Sequence, residues 1–332
     1  MKRYLSIMAV LLVILLVLVV FIALFYQNAD ENATAKIGDS NSKNTFNLLL
    51  LGRDSVAGLC DVITIVSMDI YNGNVNIMQI PRDTYFNYAN GEHNKINGVP
   101  CVLGVSKFAN ELSNALGIKI DYYLCLELET LKQMLDLISG IEVYVPQDMD
   151  YDDPYQNLSI HLTAGNNKLN SAEAIGFLRY RSGYITGDIG RLDAQKLFLN
   201  AFFKKLSEQK NPLLFYNLFR IVSKQSETNI KEQDIISIGL KLKDKKDMEV
   251  FYMTAPGEAV QSDKSGAWYY ILSNASMKEL LCDRFGADKK DFDKNNKFVD
   301  KRVKSFYDIY EKSYDYKIYS TDDIENNQIN IN

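Results

Sequence analysis

Histidine and tryptophan are scarce in this chain of 332 residues: His93, His161 and Trp268 are all there is of either. Two histidines are too few for a histidine-rich zinc centre, and no HExxH pattern brings them together. The four cysteines, Cys60, Cys101, Cys125 and Cys282, contain no CxxC pair. Three of them sit in or beside apolar segments, where a buried thiol is the default, and their spacing assigns no disulfide. An excess of positive charge is missing too. The net charge is −5, which argues against nucleic acid as a bulk partner. No internal repeat is visible. Any bound metal therefore falls to carboxylates, and a hard ion such as Mg2+ is then favoured.

What the chain does have is one long apolar run. Residues 5–26 are broken only by Ser6, with Lys2 and Arg3 before them and Asp30 and Glu31 after. As a helix this segment rises about 33 Å, enough to cross a hydrocarbon core. It exceeds the roughly 7–15 apolar residues of a secretory signal. The basic end is expected to stay in the cytoplasm. The reading is a single-pass protein of the cytoplasmic membrane, N-terminus inside, with a short tail at 1–4, an anchor at 5–26 and an extracellular tether at 27–45.

Beyond the tether the composition is globular, 47% hydrophobic and 24% charged. Residues 46–51, 62–68 and 75–80 read as strands, the last entered through an Asn-Gly turn. Residues 103–116 read as a helix closed by Gly117. Strand candidates follow at 122–126, 141–145 and 248–253. Helices are expected at 128–138, 171–177, 192–206, 211–222 and 232–242, with a cap at Ser171. Residues 148–157 read as an acidic loop. Strands alternating with helices predict a mixed α/β sandwich. One domain is expected over 46–288, then a charged, flexible extension over 289–332. Tyrosine is abundant, at 21 residues; its ring and polar tip suit a carbohydrate surface as well as a core.

Three patches could carry chemistry. In Gly52-Arg53-Asp54, Asp54 leaves one strand and Asp61 enters the next. If those strands adjoin, both carboxylates share a sheet edge, where a divalent cation relieves their repulsion. Arg82 and Asp83 follow a strand, with Lys95 beyond a polar loop; an arginine there can fork onto a phosphate. Arg179 and Arg181 flank Tyr180, and Asp188 precedes a helix on which Arg191 and Gln195 share a face. Converging arginines repel, and a diphosphate removes the repulsion. Taken singly, each patch also fits solvated loop carboxylates, a surface ion pair or a basic face.

Together, and in this order, they resemble the LytR-CpsA-Psr family. The matching stretches are 47–54, 61–67, 80–84, 95–97, 121–123, 138–146, 169–181 and 188–195. The resemblance implies an α/β/α sandwich around a central, mostly antiparallel mixed sheet, with a long pocket for a polyprenyl tail. It implies transfer of a glycopolymer from a polyprenyl pyrophosphate carrier onto a peptidoglycan acceptor, next to the membrane. By motif, Asp54 and Asp61 resemble the carboxylates that hold Mg2+, or Mn2+ in its place. Arg82, Arg179, Arg181 and Arg191 resemble the pyrophosphate clamp, and Asp83, Lys95, Asp188 and Gln195 the remaining polar lining. The catalytic roles fall to Arg82, Asp83, Arg181 and Asp188.

The chain departs from the family pattern in places. The loop between Asp54 and Asp61 is short, and Val62 stands where threonine is common. Ala194 stands where many members carry an arginine, and Cys101 and Val102 replace a small and an aromatic residue. A non-catalytic or regulatory binder of the lipid-linked polymer, or a phosphatase acting on the carrier, are the alternative readings.

Overall fold

In the computed structural model the described residues run from 45 to 331. They omit 55–57, 89–94, 157, 210, 232, 236–237, 239–248, 289–291, 293–296, 327–328 and 330. The apolar segment 5–26 and the tether up to residue 44 lie outside them.

Thirteen strands are described along the chain: β1 (Thr45–Arg53), β2 (Cys60–Asp69), β3 (Asn74–Gln79), β4 (Tyr122–Glu127), β5 (Ile141–Val145), β6 (Met149–Asp153), β7 (Leu158–Leu162), β8 (Gly165–Leu169), β9 (Glu227–Thr228), β10 (Glu249–Thr254), β11 (Gly257–Gln261), β12 (Trp268–Leu272) and β13 (Ile318–Ser320). Seven of them form the central sheet, in the order β13-β10-β3-β2-β1-β4-β9. Its neighbours are antiparallel except for the pairs β1–β4 and β3–β10. The Asn72-Gly73 turn behaves as its residues demand. Gly73 takes φ 74°, and Asp69 accepts from the backbone of Asn72 at 3.0 Å.

The alternation of the sheet strands divides their side chains between two cores, because successive residues point to opposite faces. Val66, Val75, Ile77, Val250 and Tyr252 face one core with the helices Leu128–Leu137, Ser171–Arg179, Asp188–Ser207 and Pro212–Gln225. Leu49, Leu51, Ile63, Ile65, Met78 and Met253 face the other, with the helices Val105–Leu116 and Asn274–Phe285. Helices on both faces of a mixed, mostly antiparallel sheet make the α/β/α sandwich that the family resemblance implies.

Several local expectations are corrected. The helix expected over 103–116 is two, Val99–Leu103 and Val105–Leu116, parted by Gly104 at φ 80°. The helix expected to be capped at Ser171 is capped by Asn170, whose side chain accepts from Glu173 N at 3.0 Å while Glu173 accepts from Asn170 N at 2.8 Å. This reciprocal box satisfies two amides that a bare helix end leaves open. The acidic loop expected over 148–157 is in part a strand, Met149–Asp153. Met149–Asp153 pairs in antiparallel register with Leu158–Leu162, Tyr151 lying opposite Ile160. Of the helix expected over 232–242, only 233–235 and 238 are described.

The flexible extension expected over 289–332 is also corrected. Its described part carries the helix Lys304–Tyr310, and β13 pairs with β10 at the edge of the sheet. Phe298 is fully buried, its ring 5.4 Å from Phe86 and 6.2 Å from Phe292. Val303, Phe306, Ile309 and Tyr310 close a third apolar cluster with Tyr85 and Tyr269. Lys- and Asp-rich composition hid these spaced apolar residues. Lys196, buried on the helix Asp188–Ser207, pairs with Asp193 and donates to Thr254 at 2.8 Å. It also lies 5.8 Å from the Tyr319 ring, so the terminal strand is fastened to the central helix. Phe298→Ala is expected to cost about 3–5 kcal/mol in denaturant unfolding, as a buried phenylalanine does; a loose tail would cost under about 0.5 kcal/mol.

Candidate active site

The antiparallel pairing of β1 with β2 brings Asp54 and Asp61 to one end of the sheet. The short connection is closed by its own backbone: Asp54 N donates to Leu59 O at 2.9 Å and Gly58 N to Asp54 O at 2.8 Å. Gly52 lies opposite Val62, so near that a Cβ would come within 2.9 Å of the valine Cβ. Because β3 runs antiparallel to β2, its exit lies beside Asp61. Arg82 follows through Pro81, in a turn held by Thr84 Oγ1 donating to Pro81 O at 2.6 Å.

The third patch arrives from the helical layer. Arg179 is the last residue of its helix, and Tyr180 leaves it in an extended conformation. Tyr180 and Tyr184 are buried, with rings edge-on at 5.3 Å, and they pin the loop between the two helices. Burial pushes the Tyr184 hydroxyl above its ordinary pKa, Tyr180 and Asp193 adding to the shift. With those rings inward, Arg181 and Ser182 project outward. The helix Asp188–Ser207 then begins at Gly187, with φ 59° and no side-chain cap. Gly187, Asp188 and Arg191 of this helix start line the same space, and a helix N-terminus favours negative charge.

The three patches enclose one cavity of about 520 Å³. Its walls include Asp54, Asp61, Arg82, Asp83, Arg179, Arg181, Asp188 and Arg191, joined by Leu59, Tyr151, Leu158, Ser182 and Gly187. Eight of the ten residues singled out from the sequence thus meet in one place. Lys95 stands just behind, 2.7 Å from Asp83. Gln195 does not reach the cavity wall: it is buried, accepting from Gln79 Nε2 at 3.3 Å and donating to Leu178 O at 3.5 Å. It shares a helical face with Arg191 but sits one turn deeper. Ala194 is fully buried in the apolar core.

The charges are cross-linked. Arg82 Nη1 lies 2.9 Å from Asp61 Oδ2, and its Nε lies 3.6 Å from Asp188 Oδ1 and 3.8 Å from Asp83 Oδ2. Asp188 also takes Arg191 Nη2 at 3.0 Å. Burial depresses the Arg82 guanidinium, but Asp61, Asp188 and Asp83 outweigh it, so its pKa stands above the ordinary value. Arg191 goes the other way. Burial, with Arg82 and Arg181 nearby, lowers it despite Asp188. Arg191 is a cation held where charge is costly, and its Nε is a buried donor with no hydrogen-bond partner. Such a group is favoured by an arriving anion.

Asp61 Oδ1 is likewise buried without a hydrogen-bond partner. With Asp54 it offers hard oxygen donors, the kind Mg2+ takes. Among the described residues no cluster of three or more His, Cys, Asp or Glu side chains is arranged to hold a metal. Asp54 and Asp61, at the cavity end of β1 and β2, are thus the two carboxylates that would hold such an ion.

Tyr151, Leu158 and Leu59 line the cavity without being singled out by the sequence. Tyr151 and Leu158 come from the hairpin masked by its aspartates; alternation of Met149 and Tyr151, then Leu158, Ile160 and Leu162, was the available signal.

The fold has known relatives. A LytR_cpsA_psr family model matches residues 22–284, and the chain belongs to that family. TagV of Bacillus subtilis, a polyisoprenyl-teichoic acid–peptidoglycan teichoic acid transferase, is 31% identical over 198 residues, 57% of this chain and 51% of TagV. That match spans about half of TagV's length. TagU of Bacillus anthracis, of the same description, is 25% identical over 260 residues, 76% of this chain and 82% of TagU. The crystal structure of B. subtilis TagV superposes with a TM-score of 0.60 at 24% identity, covering 78% of this chain and 100% of that one. TagT bound to LI-WTA gives 0.57 at 20% identity, covering 76% and 91%. At these identities the structures speak for the fold.

Asp188→Asn is expected to lower stability by on the order of 3 kcal/mol, since it strips the shared counter-charge from buried Arg191 and from Arg82. Thermal unfolding with and without millimolar pyrophosphate checks this: the anion should restore more of the loss in the variant than it adds to the wild type.

Proposed function

We propose that this chain transfers a glycopolymer, of the teichoic acid kind named for TagV and TagU, from a polyprenyl diphosphate carrier onto peptidoglycan. The observation that carries the reading is the convergence of four arginines from three separate chain segments on one cavity. Arg179 and Arg181 come from the helix end and the loop after it, Arg82 from the turn after β3 and Arg191 from the first turn of the next helix. A diphosphate presents adjacent anionic phosphoryl groups, and planar guanidinium forks match such oxygens.

An acceptor hydroxyl oxygen attacks the phosphorus that bears the sugar. A new phosphoester bond forms, the bond from that phosphorus to the bridging oxygen breaks, and polyprenyl phosphate leaves. In this reading the hydroxyl proton passes to a carboxylate of the wall, Asp83, whose charged neighbours are Lys95 and Arg82. Arg82, Arg179, Arg181 and Arg191 stabilise charge developing on the equatorial and bridging oxygens. Asp188 positions Arg82 and Arg191. Asp54 and Asp61 are the residues that would hold Mg2+, which supplies further charge neutralisation when bound. The bond that drives transfer is already in the donor, so no nucleotide is needed on the outer face of the cytoplasmic membrane, where the apolar segment 5–26 would anchor the domain beside its lipid substrate.

Arg181 is solvent-exposed and has no ion pair among the described residues, so its loss should spare the fold. Arg181→Ala is expected to keep its unfolding free energy within about 0.5 kcal/mol while transfer falls at least about 100-fold. Formation of a polymer–acceptor adduct is the measurement; unchanged transfer removes Arg181 from the clamp. Release of inorganic phosphate without adduct identifies a phosphatase instead, and carrier binding with neither product identifies a binder. For the cation, Asp61→Asn should weaken Mn2+ binding at least about tenfold, read by electron paramagnetic resonance in the presence of a diphosphate, because it removes one anionic donor.

A further inference from the structure

The hairpin β6–β7 changes character along its inner face. Near its base Met149 and Leu162 are buried in the core. Toward its tip the same face carries Tyr151 and Leu158, half-buried, and there it becomes a wall of the charged cavity. The outer face keeps the hairpin this way round. Asp150, Asp152, Ser159 and His161 all point to solvent, with His161 Nδ1 2.7 Å from Asp150. Gly176 fixes the hairpin's position. A Cβ there would press within 3.3 Å of the Ile160 side chain, so the bare glycine lets the hairpin lie close on the helix that ends at Arg179.

Tyr151 is the one aromatic ring among the described lining residues, and Leu158 extends its surface. Its hydroxyl donates to Asp153 Oδ2 at 3.5 Å. We infer that Tyr151 and Leu158 form a sugar subsite, on which the first pyranose ring of the donor stacks while the arginines hold its diphosphate. This rests on the carrier reading above. A pyranose has an apolar C–H face and a rim of hydroxyls. Tyr151 offers a flat apolar surface for the first. Ser182, in the same cavity, offers a hydroxyl donor and acceptor for the second. An isoprenoid unit in this place would instead bury carboxylates and guanidiniums against hydrocarbon without replacing their hydrogen bonds, which is unfavourable. The lipid end of the donor therefore leaves the cavity elsewhere, and the sugar end meets the tyrosine.

The test uses the full chain in detergent, with two probes: farnesyl diphosphate, and farnesyl diphosphate esterified with N-acetylglucosamine. Titration calorimetry is run on wild type, Tyr151→Phe and Tyr151→Ala. Wild type and Tyr151→Phe should bind the sugar-bearing probe more tightly than the bare one. Tyr151→Ala should lose about tenfold in affinity for the sugar-bearing probe while binding the bare diphosphate within twofold of wild type, which also shows that the variant is folded. Equal weakening toward both probes, or discrimination as strong as the wild type's, overturns the subsite and leaves the carrier reading standing. Failure of the wild type to bind either probe overturns the carrier reading, and the subsite with it.

Discussion

The site depends on holding like charges together in the absence of a ligand. Arg82 and Arg191 share Asp188, and Arg82 also leans on Asp61 and Asp83. Two unit charges 4 Å apart interact by about 4 kcal/mol at an effective dielectric of 20, so these arginines could not sit side by side without the aspartates. The carboxylates serve as resident counter-ions that a diphosphate can partly replace. That explains why the lining carries as many aspartates as arginines, and why the most buried guanidinium, Arg191, is the one whose charge is least favoured.

The sheet supplies the geometry. β1, β2 and β3 are successive antiparallel neighbours, so the exits of β1 and β3 and the entry of β2 fall at one end. Asp54, Asp61 and Arg82 are delivered there by topology alone. The helical layer brings the rest, and a polar contact between Gln79 on β3 and Gln195 on the long helix ties the two layers directly behind the charges.

Much of this was legible in the sequence. Apolar strand runs, Asn72-Gly73 and the glycine after Leu116 declared themselves through local chemistry. The charged residues stood at predicted element ends, where a sheet edge gathers them. Three things were hidden. The β6–β7 hairpin carries its aspartates on the solvent face, and their density concealed the alternation of Met149 and Tyr151. The C-terminal segment spaces its aromatics among lysines and aspartates, so composition spoke for disorder while Phe298 and Phe306 were core. Gln195 was placed on the right helical face, but periodicity gives direction and not depth, and the residue lies behind the wall it was expected to line.

The pairing of β10 has a consequence for how the molecule is made. Val75 of β3 lies opposite Val250 of β10, and Phe251 opposite Ser320 of β13. A chain emerging from the ribosome N-terminus first presents β3 with one flank bare until much later residues follow. Closure over such long sequence separations is slow, and open strand edges invite misassociation meanwhile. Completion of the sheet is thus a late event in biosynthesis, and assistance during that interval is more useful to this protein than to one whose strands pair as they appear.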